Sequence, residues 1–327
     1  MRESLGVPGT SVRDAALGAT GQEVTVVYVH GAGNQPPRDE LKRQWDNDLF
    51  GRDMGQRTRM AHYADLLHGQ PHAIGSDPST PDEALAALAP VIGEPVAALG
   101  AGSAGDQVMA TEEAKVFAGL TPAGQQLALS LSIDMATRAA SQQPTLDETM
   151  NRVLPVPAPV RRLLLRQLLQ RLIPDADSYI FTDKRNAIQD RLRQALDTMD
   201  GPVVVVSHSL GTIIAYDVLS EPRFAGRAVP LLVTLGAPLG YTEIQDVIAQ
   251  PLRVPAPVGL WANFADPLDV VTLDTSLADD FGAGPRIVDT RVDNPAPNNH
   301  DSGGYLRAPQ VRSRMTATVP TDLGPVG

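Results

Sequence analysis

The sequence predicts an α/β protein with a mostly parallel sheet and helices on both faces. Short β-branched runs alternate with helical segments across residues 24–64 and 178–311, the order typical of parallel β-α-β units. Val24 to Val29 reads as a strand buried on both faces, and Val203 to Val206 reads as a further strand. Hydrophobic residues make up 43% and charged residues 20%, which is enough for a packed core and excludes wholesale disorder.

The strands are predicted where short apolar, largely β-branched runs are bounded by turn residues. In chain order they cover residues 24–29, 58–63, 203–206, 231–235, 259–264 and 286–288.

The helices are predicted where apolar residues recur every three or four positions. Residues 39–50 carry Leu41, Trp45 and Leu49, and residues 182–199 carry Ile188, Leu192 and Leu196. A third helix, 210–220, directly follows the four-valine strand.

The length of 327 residues allows two domains, but the pattern favours one α/β core with an insertion. The core is predicted at 23–64 and 178–311. Residues 65–177 are rich in alanine, with proline and glycine at intervals, and are predicted as a helical cap. The two ends, 1–22 and 312–327, are predicted as flexible tails.

Composition excludes several classes of function. The net charge of −11 argues against a nucleic-acid partner bound through phosphate neutralisation. The absence of cysteine excludes disulfides, thiolate zinc sites, iron–sulfur clusters and a cysteine nucleophile. Because no targeting segment and no apolar run of about 18 residues is found, we expect a cytoplasmic protein.

The strongest chemical motif lies between the four-valine strand and the helix that follows it. The turn reads Ser207-His208-Ser209-Leu210-Gly211. A serine on a tight strand–turn–helix is presented above the sheet edge as a nucleophile, and the positions two before and two after it must be small. Gly211 meets this requirement and Ser207 nearly does. Ser209 is the predicted nucleophile, and Ser207, still within the strand, is the rival.

On these residues the chain resembles the α/β-hydrolase family over roughly 24–64 and 178–306. The resemblance implies an oxyanion hole made by two backbone N–H groups. Leu210 supplies one. The loop His30-Gly31-Ala32-Gly33 matches the family's H-G-x-G pattern and makes Ala32 the second donor, with Gly33 as the alternative. A dinucleotide-binding loop is disfavoured because G-x-G-x-x-G is incomplete and Pro36-Pro37 blocks an immediate helix.

The family also implies an acid after a later strand. The stretch from Trp261 to Val271 resembles the W-x-N-x-x-D-x-x-D-x-V segment of hydrolases of the GPI inositol-deacylase-like type. There the second acid belongs to the triad, which favours Asp269. Asp266 stands before a proline and is the alternative, as a turn-forming residue. Asp274 is a more distant third candidate.

The family order serine, acid, histidine leaves His300 as the predicted base. Of the six histidines, His30 lies in the oxyanion loop and His208 beside the nucleophile, so both are secondary candidates. The remaining histidines are His62, His68 and His72. Their spacing does not favour a metal site, because Gly69 and Pro71 interrupt a helix between the last two.

The predicted function is a serine hydrolase that cleaves carboxylic esters through a triad and an acyl-enzyme, with no cofactor and no metal. The substrate is a small-molecule or lipid ester. The same triad also suits an acyltransferase, amidase or peptidase, and a non-catalytic binding protein on a hydrolase fold is a further alternative. Acyl-chain length and oligomeric state are not predicted.

A basic amphipathic stretch ends the insertion. Residues 160–173 carry four arginines and no acid. We favour a helix packed on the core with solvated arginines; the alternatives are a lid over the site or peripheral contact with an anionic membrane.

Overall fold

The sheet has six strands, all parallel. The structure, a computed structural model, describes residues 24–69, 118–128, 173–269, 271–272, 275–282, 286–294 and 299–319. Its strands are β1 (Thr25–Val29), β2 (Thr58–Ala61), β3 (Val203–His208), β4 (Val229–Leu235), β5 (Val258–Ala265) and β6 (Ile287–Arg291). They are arranged in the order β2-β1-β3-β4-β5-β6. The predicted α/β class with a mostly parallel sheet is confirmed.

The strand order reverses between β1 and β3. The chain passes from β1 to β2 on one side, and β3 then returns to the other side of β1. Val29 pairs with Ser207, so the loops that leave β1 and β3 lie side by side at the carboxyl edge. Such a switch point opens a crevice, and it is where open α/β sheets bind their ligands.

Eight of the α-helices in the described part of the chain are numbered here. They are α1 (Arg38–Phe50), α2 (Ala64–Leu67), α3 (Ile173–Phe181), α4 (Lys184–Asp197), α5 (Leu210–Leu219), α6 (Thr242–Gln245), α7 (Ser302–Arg307) and α8 (Pro309–Thr318). The predicted helices 39–50, 182–199 and 210–220 correspond to α1, α4 and α5. Residues 122–128 are also helical.

The helices cover both faces of the sheet. Side chains alternate along a strand, so Val203 and Val205 of β3 join one apolar cluster, while Val204 and Val206 join the other. The first cluster includes residues of α3, α4 and α5, and the second includes residues of α1, α7 and α8. All four valines are fully buried, which is why this strand contains no polar residue until Ser207.

Two predicted boundaries differ from the structure. Residues 312–318, predicted as tail, belong to α8, which buries Val311 and Met315 against the sheet. The predicted boundary at 177/178 falls inside α3, whose Ile173 and Ala176 pack in the core. The signal for α8 was weak because only one narrow strip of this helix is apolar. The tail 1–22 and the basic stretch up to residue 172 lie outside the described residues.

None of the helices in the described ranges is both long enough and apolar enough to cross a membrane.

Candidate active site

Ser209 occupies a strained turn between β3 and α5. Its φ of 52° and ψ of −127° make it the one non-glycine residue at positive φ in the described ranges. Such a conformation costs about 1–3 kcal/mol and is kept only where the surroundings enforce it. The Ser209 N–H donates to the Leu235 carbonyl at 3.0 Å, which ties the turn to β4. The turn has the tight strand–turn–helix geometry that the sequence predicts around this serine.

Gly211 allows the turn to lie close to β1. A Cβ at this position would stand 2.4 Å from the carbonyl oxygens of both Val29 and His30. No side chain can be accommodated there without moving the backbone of the oxyanion loop. The prediction that this position must be small therefore has a direct steric cause.

Ser207, the rival serine, is held inside the sheet. Its hydroxyl donates to the Val233 carbonyl at 3.0 Å and is completely buried. Its position therefore fits a structural serine and not a nucleophile.

His300 connects the predicted nucleophile with an acid. Its Nε2 lies 2.8 Å from Ser209 Oγ, and its Nδ1 lies 2.7 Å from Asp269 Oδ2. Because a carboxylate only accepts, the proton of neutral His300 resides on Nδ1. Nε2 then carries no proton and can accept the one from Ser209, as a general base must. The structure thus brings together all three residues predicted for the triad.

The carboxylate of Asp269 is buried and is surrounded by hydrogen-bond donors. Its side chain is fully buried, and its Oδ1 accepts from the Val271 N–H at 2.8 Å. Oδ2 accepts from the Tyr305 hydroxyl at 2.7 Å in addition to His300. Gly236, at φ 55°, leaves room for this arrangement, since a Cβ there would lie 2.9 Å from Asp269 Oδ2. A charged carboxylate in this position is satisfied by hydrogen bonds.

Asp266, the alternative acid, faces a different set of partners. Its Oδ1 accepts from the Leu268 N–H at 2.7 Å, and its Oδ2 accepts from the Asn294 N–H at 2.6 Å and the Asn299 amide at 3.2 Å. Burial raises its pKa. These bonds anchor the chain on the approach to His300. Asp266 is a loop anchor; Asp274, the third candidate, lies outside the described residues.

The predicted oxyanion loop, residues 30–33, lies against Ser209. A Cβ on Gly31 would stand 3.0 Å from Ser209 Cβ. Within the described residues, the N–H groups of Ala32 and Leu210 have no hydrogen-bond acceptor, whereas the Gly33 N–H donates to Asp175 Oδ2 at 2.7 Å. Gly33, the alternative donor, is thus already engaged, which leaves Ala32 and Leu210.

His30 is a structural residue of that loop. Its Nδ1 donates to the Gly31 carbonyl at 2.7 Å, its Nε2 accepts from the Tyr63 N–H at 3.1 Å, and its ring stacks on Tyr63 at 4.0 Å. Burial lowers its pKa to about 3. Because its acceptor nitrogen, Nε2, is occupied by a backbone N–H, His30 is not placed to take a proton from Ser209.

His208 contacts both the backbone and the ring of His300. Its Nε2 donates to the His300 carbonyl at 2.9 Å, and the two ring centroids are 4.6 Å apart. Burial lowers its pKa well below the usual value. Neither His30 nor His208, the two secondary candidates, is hydrogen-bonded to Ser209 Oγ.

The lowered pKa of His30 predicts acid sensitivity. The folded protein keeps this histidine neutral down to about pH 3, whereas the unfolded chain binds a proton below about pH 6.5. The contribution of His30 to the free energy of unfolding is therefore fully present above pH 6.5 and decreases as the pH falls. At pH 5 it has decreased by about 2 kcal/mol. The free energy of unfolding, measured with urea at pH 5 and at pH 6, rises with pH. We expect this rise to be smaller by about 1 kcal/mol per pH unit in His30→Gln than in the wild type. Equal slopes in the two proteins contradict the prediction.

Four residues of the site were not identified from the sequence: Gly236, Tyr305, Tyr63 and Asp175. Each contributes a contact that depends on a distant part of the chain, and none belongs to a motif that points to catalysis.

The described residues contain no group of three His, Cys, Asp or Glu side chains that could hold a metal ion. His62 Nε2 donates to the Pro36 carbonyl at 2.9 Å, and His68 Nε2 donates to Asp175 at 3.0 Å. His72 lies outside the described residues.

Comparison with protein-family models and with curated proteins gives no match.

Proposed function

We propose that this protein is a serine hydrolase of the α/β-hydrolase type that cleaves carboxylic esters through an acyl-enzyme. The observation that carries the proposal is the continuous hydrogen-bonded chain from Ser209 through His300 to Asp269. Its two distances, 2.8 and 2.7 Å, lie within the reach that proton transfer requires.

In the acylation step, His300 Nε2 takes the proton of Ser209, and Oγ attacks the ester carbonyl carbon. Asp269 keeps the imidazole in the productive tautomer and stabilises the cation that forms. The N–H groups of Ala32 and Leu210 stabilise the oxyanion, each worth about 2.7–4 kcal/mol in the transition state. His300 then passes its proton to the leaving alkoxide, and the acyl group remains on Ser209.

In the deacylation step, His300 takes a proton from water, and the resulting hydroxide attacks the acyl carbon. Ser209 leaves with the proton returned by His300, and a carboxylic acid is released. Transfer to another alcohol or amine follows the same course with a different acceptor.

A non-catalytic binding protein explains the site less well. The turn at Ser209 is strained, and a buried carboxylate is aligned with the histidine that faces it. Strain of this kind is typically retained at functional sites, and stability alone does not require it.

The test is active-site labelling. A fluorophosphonate probe is expected to add once to the wild-type protein, and peptide mapping by mass spectrometry is expected to place the adduct on Ser209. Ser207 lies two residues earlier and is the internal control. Absence of an adduct on folded protein, or an adduct on Ser207, contradicts the proposal.

A further inference from the structure

The loop that lies against Ser209 is held by side chains from two distant segments. Gly33, at φ 93°, donates its N–H to Asp175 Oδ2 at 2.7 Å. Asp175 belongs to α3, 142 residues further along the chain, and is buried. The same oxygen accepts from His68 Nε2 at 3.0 Å, so two donors fix the position of this carboxylate.

A second side chain holds the peptide that precedes Ala32. The Tyr63 hydroxyl lies 2.9 Å from the carbonyl oxygens of His30 and Gly31, so its single O–H is shared between them. His30 Nδ1 donates to the same Gly31 carbonyl at 2.7 Å. Tyr63 is itself almost fully buried.

These bonds determine the direction of the Ala32 N–H. In a trans peptide the carbonyl and the N–H point in opposite directions. Tyr63 and His30 donate hydrogen bonds to the Gly31 carbonyl and orient it towards themselves. The Ala32 N–H of the same peptide therefore points away from them. Asp175 fixes the following peptide through the Gly33 N–H. The two peptide planes on either side of Ala32 are thus set by named side chains.

We propose that Asp175 and Tyr63 are positioning residues of the oxyanion hole, which orient the Ala32 N–H toward the oxygen of the reacting carbonyl. This inference rests on the proposed esterase function and deepens it. It also gives α3, which begins within the predicted insertion, a role in catalysis, because this helix carries Asp175 to the loop.

A donor aimed at the oxyanion acts in the transition state more than in the bound substrate. Loss of its orientation therefore lowers kcat and leaves KM nearly unchanged. We expect Asp175→Ala to lower kcat for a short p-nitrophenyl ester about 100-fold. The affinity for a boronic acid that forms a tetrahedral adduct with Ser209 is expected to fall in parallel. Asp175→Asn keeps an acceptor for the Gly33 N–H and is expected to retain most of the activity.

Asp177→Ala is the matched control. Asp177 lies on the same helix, is equally buried, and accepts from the Thr121 N–H and hydroxyl instead of the oxyanion loop. We expect it to lower the melting temperature and leave kcat within about two-fold of the wild-type value, since it does not touch the oxyanion loop.

If Asp175→Ala does not fold, Tyr63→Phe tests the same proposal. It removes only the shared hydroxyl and keeps the ring stacked on His30, and we expect about a ten-fold loss of kcat with KM unchanged. Wild-type kcat in a folded Asp175→Ala protein, or in Tyr63→Phe where Asp175→Ala does not fold, overturns the proposal. An equal loss of kcat in Asp177→Ala or Asp175→Asn overturns it as well. A wild-type protein without any esterase activity instead overturns the proposed function itself.

Discussion

Ser209→Ala is expected to lower kcat for a short p-nitrophenyl ester by about 10⁶-fold. The variant removes the oxygen that lies 2.8 Å from His300 Nε2, so no acyl-enzyme can form on this residue. The steady-state rate of p-nitrophenol release, followed by absorbance, measures the effect. The residual rate reflects what substrate binding and the oxyanion donors contribute without a nucleophile.

Ser207→Ala is the control for this measurement. It removes a buried hydroxyl bonded to the Val233 carbonyl at 3.0 Å, which is expected to cost about 1 kcal/mol of stability. Its kcat should remain close to the wild-type value. A Ser209→Ala protein that is folded and retains more than a few per cent of the wild-type rate excludes Ser209 as the nucleophile.

Asp269→Asn is expected to lower kcat about 10⁴-fold. The carboxylate holds the His300 proton on Nδ1. If the amide oxygen keeps its bond to the Val271 N–H, its NH₂ group faces His300 and donates to Nδ1. The imidazole is then held in the opposite tautomer, and Nε2 carries a proton and cannot accept the one from Ser209.

Asp266→Asn distinguishes the two acids. Asp266 accepts from the backbone and from Asn299, and it has no hydrogen bond to the His300 ring in the described residues. We expect reduced thermal stability and a loss of kcat below about ten-fold, because the loop that leads to His300 loses part of its anchor. A larger loss of kcat in Asp266→Asn than in Asp269→Asn contradicts our assignment of the acid. The pH dependence of kcat/KM, measured on both variants, provides a second comparison.

Much of the fold could be predicted because the strands of this sheet have a strong local pattern. Val203 to Val206 is apolar on both faces because helices cover both faces, and the pattern needs no knowledge of distant residues. The helix α8 could not be predicted in the same way. Its buried residues Val311 and Met315 are separated by charged and polar side chains, so only its packing against the sheet reveals its apolar strip.

The sequence by itself determined the α/β class, the serine turn and the small residue that must follow it, because these depend on strand composition and on turn geometry over a few positions. The tertiary structure decided which side chains meet there. Asp266 and Asp269 are three residues apart and chemically identical, yet only Asp269 is hydrogen-bonded to His300. Gly33 and Ala32 are neighbours, yet the N–H of Gly33 is occupied by a carboxylate 142 residues away. Hydrogen bonds require partners within about 3 Å, and only the folded chain specifies which distant groups come that close.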